Sequence, residues 1–189
     1  MPRILIVTGE ASGDLHGAHL VKALKELSPA LQIVGVGGAS MRAAGAELVK
    51  DIPQLDVMGL IGLSAVKTML QRISRIRTLI KGERWDLVVL IDNPGLNFHF
   101  ARVARACGLK VLYYIAPQVW AWRRGRMRWI QQRVDHVLAI LPFEEPLYKK
   151  AGVRCTFVGN PLLDEVAPSY DRQALRRQFG LSDAGSVIG

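Results

Sequence analysis

The sequence DLVVLIDNP, residues 86–94, places five consecutive aliphatic residues directly before an aspartate, an asparagine and a proline. A short, unbroken apolar run is typical of a strand that is covered on both faces of a sheet. The segment RILIVT, Arg3–Thr8, has the same character and leads into the polar stretch Gly9–Asp14. We therefore expect two buried strands, each of which ends in a polar loop.

Outward from these runs, short β-branched segments alternate with longer amphipathic ones. The predicted strands are Arg3–Thr8, Gln32–Val36, Glu47–Lys50, Asp86–Ile91, Lys110–Ile115, Val134–Leu141 and Thr156–Val158. The predicted helices are Leu15–Leu27, Ala39–Ala44, Leu60–Lys81, Phe98–Ala106, Met127–Arg133, Glu144–Lys150 and Asp171–Gly180. Strands separated by helices need crossover connections, so we predict an α/β fold with a Rossmann-like, doubly wound, mostly parallel sheet and helices on both faces.

The composition is that of a folded domain, since 50% of the 189 residues are apolar and the net charge is +9. We expect one domain over residues 1–166, a linker around Ala167–Ser169, and the start of a second, truncated domain within 167–189. No apolar run is long enough to cross a bilayer, and Met1–Arg3 leads into a strand rather than a signal peptide. Cys107 and Cys155 are expected to be reduced thiols of a cytosolic protein.

The positive charge is concentrated in the middle of the chain. No acidic residue occurs between Asp92 and Asp135, where eight basic residues occur: Arg102, Arg105, Lys110, Arg123, Arg124, Arg126, Arg128 and Arg133. Such a block beside Trp120 and Trp122 favours a polyanionic partner, which could be nucleic acid, an anionic membrane surface or a phosphorylated ligand. A solvated basic face around a structural loop is the alternative.

In open α/β sheets, ligands bind at the carboxyl ends of the strands. Asp92 ends an apolar strand there, and partial burial would suit its carboxylate to act as a general base. The alternative is an Asx turn before Pro94. In the loop Gly9–Asp14, the glycines would permit close approach of a ligand and Ser12 offers a hydroxyl, or the loop is a tight turn with Ser12 or Asp14 as helix N-cap.

Three further patterns are weaker. Gly35–Ser40 resembles a dinucleotide-binding loop, but Ser40 stands in place of the third glycine, so no NAD or other cofactor is expected. His16 and His19 are interpreted as surface residues of the first helix and not as metal ligands. The apolar segment Asp56–Leu63 precedes a helix with Lys67, Arg72, Arg75 and Lys81, which suits either a membrane or acyl-chain contact or a buried crossover helix.

Seven motifs occur in a characteristic order. They are Gly9–Asp14, Gly37-Gly38 with Met41, Asp56-Val57-Met58-Gly59-Leu60, Ile91-Asp92-Asn93-Pro94, Ala116–Arg123, Leu141-Pro142-Phe143-Glu144 and Val158–Asp164. Together they resemble the lipid-A-disaccharide synthases, membrane-associated glycosyltransferases of Gram-negative bacteria. The resemblance extends from residue 3 to about residue 166, and it implies the N-terminal half of a GT-B fold.

The resemblance implies inverting transfer of a diacylglucosamine unit from its UDP derivative onto 2,3-diacylglucosamine 1-phosphate (lipid X), with release of UDP. Asp92 matches the family's essential carboxylate and would be the catalytic base. The implied substrate contacts are Gly9, Glu10, Ser12, Gly13, Met58, Asn93, Gln118, Trp120 and Arg123. The implied acyl-chain or membrane contacts are Val57, Leu60, Ile61, Leu63 and Val66.

The same resemblance implies a location on the cytoplasmic face of the inner membrane, no cofactor, no metal and no nucleic acid, and it leaves a homodimer open for full-length members. The chain departs from the family pattern at Gly62, Gly95 and Asn160. Members of the family are much longer, so we expect the 189-residue chain alone to be nearly inactive. The alternative is a non-catalytic basic module that binds nucleic acid or an anionic membrane surface.

Overall fold

The computed structural model of the chain describes residues 1–50, 52, 63–118, 125–166, 169–182 and 185–186, with 63–65 described by their backbone alone. The strands are β1 (Arg3–Thr8), β2 (Gln32–Val36), β3 (Glu47–Leu48), β4 (Leu87–Ile91), β5 (Val111–Tyr114), β6 (His136–Ala139) and β7 (Cys155–Phe157). The helices are α1 (Ala11–Leu27), α2 (Ala39–Ala43), α3 (Leu63–Gly82), α4 (Pro94–Ala106), α5 (Gly125–Arg133), α6 (Glu144–Lys150) and α7 (Arg172–Gln178), with a 3₁₀ helix at Pro161–Asp164.

The strands form one parallel sheet in the order β3-β2-β1-β4-β5-β6-β7. This confirms the predicted α/β class and the doubly wound sheet. The direction in which strands are added reverses at β1, which pairs with both β2 and β4. Ligand sites of such sheets lie beyond the carboxyl ends of the strands next to this switch point.

Apolar side chains alternate between the two faces of the sheet, as the pleat requires. Leu5 and Val7 of β1 belong to a core cluster that includes Ile76, Ile80 and Phe100 from α3 and α4. Ile4 and Ile6 belong to a second cluster, which includes Val21 of α1 and Met41 of α2. Burial on both faces explains why the strands are recognisable as unbroken apolar runs.

The chain divides into two compact units, Met1–Gly159 and Asn160–Gly189. The first contains the whole sheet. In the second, Asp171 begins α7, and its carboxylate accepts hydrogen bonds from the amides of Gln173 and Ala174 at 2.9 and 3.0 Å. Residues 167–168 of the predicted linker lie outside the described residues, and the predicted division into two domains stays a prediction.

Two helices begin four residues earlier than predicted. α1 begins at Ala11, inside the predicted turn Gly9–Asp14, because Gly13 lets the helix approach β1: a Cβ at Gly13 would lie 3.2 Å from the Cβ of Thr8. α4 begins at Pro94, where Asn93 is the N-cap and accepts a hydrogen bond from the amide of Leu96 at 3.3 Å. Asn93 therefore makes the turn that we considered for Asp92.

The sequence of α3 predicts a buried apolar stripe and a basic outer face that carries Arg72, and this stripe is wrong at one end. Its members are Leu63, Val66, Leu70, Ile73, Ile76 and Ile80. Ile76 and Ile80 are buried as expected, but Val66 and Leu70 are 57% and 61% exposed. Arg72, predicted on the outer face, is only 4% exposed, and burial lowers its pKa to about 10. The first half of α3 therefore presents apolar side chains to solvent.

Asp14 caps a helix, but the helix is α2 and not α1. Its buried carboxylate accepts hydrogen bonds from the amides of Gly38, Ser40 and Met41 at 2.6, 3.0 and 3.2 Å. The side chain thus satisfies three amides at the start of α2, which would otherwise lack partners. This contact joins the first helix to the loop that follows β2.

The basic block is not one surface. Arg105 and Lys110 lie at the amino-terminal edge of the sheet, where both contact the carboxylate of Asp135 at 3.2 and 3.3 Å. Arg133 stacks on Trp129 at 4.7 Å, at the end of α5 that leads into β6. Arg126 lies at the opposite end of that helix, and Arg123 and Arg124 lie outside the described residues.

We predict that Asp14→Ala lowers the free energy of unfolding by about 2 kcal/mol, because it leaves three amides of the α2 terminus without their acceptor. Urea denaturation followed by circular dichroism measures the change. The matched control is Glu26→Ala, at an exposed position of α1, the helix that also contains Asp14. Equal stability of the two variants would contradict the capping role of Asp14.

Asp135 should make stability depend on pH. Burial alone would raise the pKa of its carboxyl, but the hydrogen bond from the Val111 amide and the charges of Lys110 and Arg105 lower it overall. A carboxyl whose pKa is lowered by folding stabilises the fold above its unfolded pKa, about 3.9, and this contribution is lost as the pH falls through the folded pKa.

We therefore expect Asp135→Asn to cost about 1 kcal/mol at pH 7, since two of its partners are exposed lysine and arginine side chains. The difference from the native chain should shrink as the pH falls below about 4. Urea denaturation across this pH range is the measurement, with Asp164→Asn at an exposed site as control. A difference that is constant with pH would show that the carboxylate charge is not involved.

Candidate active site

A cavity of about 320 Å³ opens where β4, β5 and β6 end. It is bounded by the segments that follow these three strands and by the beginnings of α4, α5 and α6. The lining residues are Asp92, Pro94, Ile115, Ala116, Pro117, Gln118, Arg126, Ile140, Leu141 and Glu144. Three of the sequence motifs, those around Asp92, Pro117 and Glu144, therefore meet at one place in the fold.

The backbone at Asp92 is held in an uncommon conformation. Asp92 and Asn93 have φ angles of +50° and +39°, in the left-handed region that non-glycine residues seldom occupy. The carbonyl oxygen of Asp92 accepts hydrogen bonds from the Tyr113 hydroxyl at 2.8 Å and the Asn97 side-chain amide at 2.7 Å. Both donors are buried, so the chain leaves β4 in one fixed direction.

That direction leaves the side chain of Asp92 facing the cavity. The residue is half-buried, and no described residue donates a hydrogen bond or forms an ion pair with its carboxylate. A carboxylate at the edge of a cavity that no described side chain engages can accept a proton from a bound ligand. This geometry agrees with the predicted cleft position of Asp92.

The cavity walls are fixed by two buried side chains of α6. The Tyr148 hydroxyl donates to the carbonyl of Pro117 at 2.9 Å, and the Glu144 carboxylate accepts from the amide of Leu141 at 3.2 Å. Burial raises the pKa of the Tyr148 hydroxyl, and burial followed by the charge of Asp92 raises that of Tyr113. Both phenols therefore remain protonated donors at neutral pH.

The segment after β1, which contains Gly9 and Glu10, contacts Asn93. A Cβ at Gly9 would lie 2.8 Å from the Cγ of Asn93, so only glycine allows this approach. The Glu10 carboxylate accepts a hydrogen bond from the Asn93 side-chain amide at 3.4 Å. Ser12 is exposed, and Gly13 is buried against Thr8.

The structure brings only part of the predicted site together. Asp92 and Gln118 line the cavity, whereas Gly9, Glu10 and Asn93 adjoin it through the contacts just described. The predicted site residues outside the described part of the chain are Met58, Trp120, Arg123, Val57, Leu60 and Ile61, and Leu63 is described only by its backbone. The functional roles assigned to all these residues stay predictions.

Sequence reasoning missed three residues of this site. Arg126 was one member of a basic block, and nothing in the sequence set it apart. Tyr113 lies in a predicted strand and Asn97 directly before the predicted helix Phe98–Ala106, and nothing in the sequence indicates that they hold the carbonyl of Asp92. Within the described residues, no group of three histidine, cysteine or acidic side chains could hold a metal ion.

Comparison with known proteins gives a family. The sequence profile of the family described as lipid-A-disaccharide synthetase matches residues 4–189. A lipid-A-disaccharide synthase of Geobacter metallireducens is 47% identical over 188 residues, which is 99% of this chain and 49% of the relative. One of Coxiella burnetii is 44% identical over 186 residues, 98% of this chain and 50% of the relative. The chain thus spans about half the length of these curated relatives.

Solved structures share the fold at low sequence identity. MnaA of S. aureus, solved with UDP, has a TM-score of 0.64 at 14% identity. The match covers 95% of this chain and 52% of MnaA. HepE of Anabaena, in complex with UDP and glucose, has a TM-score of 0.58 at 13% identity over 95% of this chain and 50% of its own. The neighbours are epimerases and glycosyltransferases of the GT-B fold, which confirms the predicted fold class.

Proposed function

The chain belongs to the lipid-A-disaccharide synthase family, and on that premise we propose that it supplies the acceptor-side half of an inverting glycosyltransferase. The proposed reaction joins UDP-2,3-diacylglucosamine to the 6-hydroxyl of 2,3-diacylglucosamine 1-phosphate. The products are the β-1,6-linked disaccharide 1-phosphate and UDP. Most of the donor site would belong to the part of these relatives that this chain does not span.

The observation that carries the proposal is the carboxylate of Asp92 in the cavity at the end of β4, where no described residue pairs with it. A sugar hydroxyl is a weak nucleophile, and removal of its proton as the new bond forms lowers the barrier. The hydroxyl oxygen attacks the anomeric carbon from the face opposite UDP, the bond to UDP breaks, and the proton goes to Asp92. One carboxylate is sufficient because inversion needs no covalent intermediate.

A nucleic-acid-binding module is the less favoured function. Two of the eight charges of the basic block, Arg105 and Lys110, are engaged with Asp135 at the amino-terminal edge of the sheet. Arg126 lies instead at the carboxyl-terminal edge, beside the cavity. Charges that are divided between opposite edges of a sheet do not form the continuous basic strip that a nucleic-acid backbone needs.

A peripheral membrane contact is supported by the exposed start of α3. Val66, Met69 and Leu70 are 57%, 40% and 61% exposed, and the exposed Lys67 lies among them. Apolar side chains beside a cation suit a helix that lies in the interface of an anionic bilayer. Among the described residues, the helices are all too short or too polar to cross a bilayer.

We predict that Asp92→Asn, in this chain joined to the remaining half of the Geobacter metallireducens relative, lowers kcat by roughly 10²- to 10⁴-fold. Asparagine tolerates the left-handed backbone at this position, so the fold should be kept. Formation of radiolabelled disaccharide from the two purified substrates is the measurement. Asp86→Asn, at the other end of the same strand, should leave kcat unchanged.

The 189-residue chain without a second half should form no measurable disaccharide in the same assay. Full turnover by Asp92→Asn would overturn the role of the carboxylate as base. Turnover by the isolated chain would overturn the assignment of the donor site to the other half.

For the membrane contact, we predict that Val66→Asp with Leu70→Asp reduces binding of the chain to vesicles of anionic phospholipid by about tenfold or more. Each substitution replaces buried apolar area at the interface with a repelled charge. Vesicle sedimentation measures the bound fraction. The control is Leu27→Asp, which places a negative charge at an exposed leucine of α1 (84% exposed). An equal loss of binding in this control would contradict the proposal.

A further inference from the structure

Two opposite charges line the cavity without pairing with each other. The Asp92 carboxylate and the Arg126 guanidinium both border it. Within the described residues, neither forms an ion pair or accepts or donates a side-chain hydrogen bond. Elsewhere in the described chain, close opposite charges do pair, as in Arg105 with Asp135 and Lys149 with Glu145.

Arg126 is held in place by aromatic side chains rather than by an anion. Its guanidinium carbon lies 5.4 Å from the centre of the Phe98 ring. That ring packs in turn against Trp129, at 4.3 Å between ring centres, and against Tyr113, at 6.4 Å. A guanidinium stacked on a ring keeps its in-plane N–H donors available, which is the arrangement that recognises phosphate.

The Phe98 ring also connects Arg126 to the fixed backbone of Asp92. Tyr113 contacts Phe98 with its ring and donates its hydroxyl to the carbonyl of Asp92 at 2.8 Å. The guanidinium and the carboxylate are therefore positioned by the same set of packed aromatic side chains. A ligand that binds the guanidinium of Arg126 is therefore oriented relative to the carboxylate of Asp92.

We propose that Arg126 binds the phosphate of a sugar monophosphate while a hydroxyl of the same sugar faces Asp92. This makes the cavity the subsite for the phosphorylated acceptor, and it rests on the function proposed above. Among the described lining residues, the charged ones are two carboxylates, Asp92 and Glu144, and one cation, Arg126. This balance suits a ligand with one phosphate and several hydroxyls, and it disfavours the greater negative charge of a nucleoside diphosphate.

The test is a ³¹P NMR titration of the 189-residue chain with glucosamine 1-phosphate, a soluble sugar monophosphate. We expect saturable binding that Arg126→Gln weakens by roughly ten- to a hundredfold, the effect of losing hydrogen bonds to a charged group. The matched control is Arg128→Gln, which removes the same charge from an exposed position of the same helix. It should change the affinity by less than about twofold, because this side chain does not line the cavity.

Competition identifies the ligand. In ³¹P titrations of the same chain, UDP and inorganic phosphate should each bind with a larger dissociation constant than glucosamine 1-phosphate does, and each should displace it only at a correspondingly higher concentration. Absence of saturable binding, equal effects of Arg126→Gln and Arg128→Gln, or stronger binding of UDP that depends on Arg126 would each overturn the proposal. Inorganic phosphate that binds as tightly as the sugar phosphate would overturn the role of the sugar hydroxyls.

This inference and the proposed function can fail separately. If Asp92→Asn retains turnover but Arg126→Gln still weakens the sugar phosphate, the general-base role fails and the phosphate contact stands. If Asp92→Asn abolishes turnover but Arg126→Gln leaves both the ³¹P titration and the acceptor KM unchanged, the phosphate contact fails and the proposed function stands.

Discussion

One carbonyl oxygen, that of Asp92, organises the carboxyl-terminal edge of the sheet. It accepts hydrogen bonds from Tyr113 on the neighbouring strand and from Asn97 on the following helix. These bonds stabilise a left-handed backbone that would otherwise cost about 1–3 kcal/mol for each residue. Because Leu90 pairs with Tyr113 in the sheet, a change of register between β4 and β5 would remove the hydroxyl. The direction of the candidate base thus depends on sheet pairing.

The strands were predictable from sequence because both faces of the sheet are buried, which leaves unbroken apolar runs such as Leu87–Ile91. Helix starts were less predictable, since they depend on contacts with other elements. α1 begins early because Gly13 packs on Thr8. The apolar residues of α3 have helical periodicity, but periodicity does not show how far along the helix the core extends, so it does not reveal that Val66 and Leu70 lie outside the core.

Site residues were predictable only where their place in the sequence, just after a strand, puts them at the carboxyl-terminal edge of the sheet. Asp92 directly follows β4 and Gln118 lies in the segment after β5, so the rule that ligands bind at carboxyl ends of strands finds both residues. Arg126 comes close to Asp92 because α5 begins beside the cavity, which a single sequence does not reveal. The sequence around Tyr113 indicates only a core aromatic residue. Its hydrogen bond to the carbonyl of Asp92 depends on the position of its hydroxyl in the folded sheet. Proximity of this kind is a property of the pairing and packing of whole elements.

The carboxylate that caps α2 also carries a consequence for nucleotide recognition. In dinucleotide-binding proteins, the amides at the start of a helix beside a glycine-rich turn receive a pyrophosphate. Here, Asp14 supplies a tethered anion that already fills the corresponding amides of Gly38, Ser40 and Met41. A diphosphate would have to compete with a carboxylate of very high local concentration. The amides of this glycine turn are therefore already occupied by a side chain of the same chain, which disfavours binding of a diphosphate there.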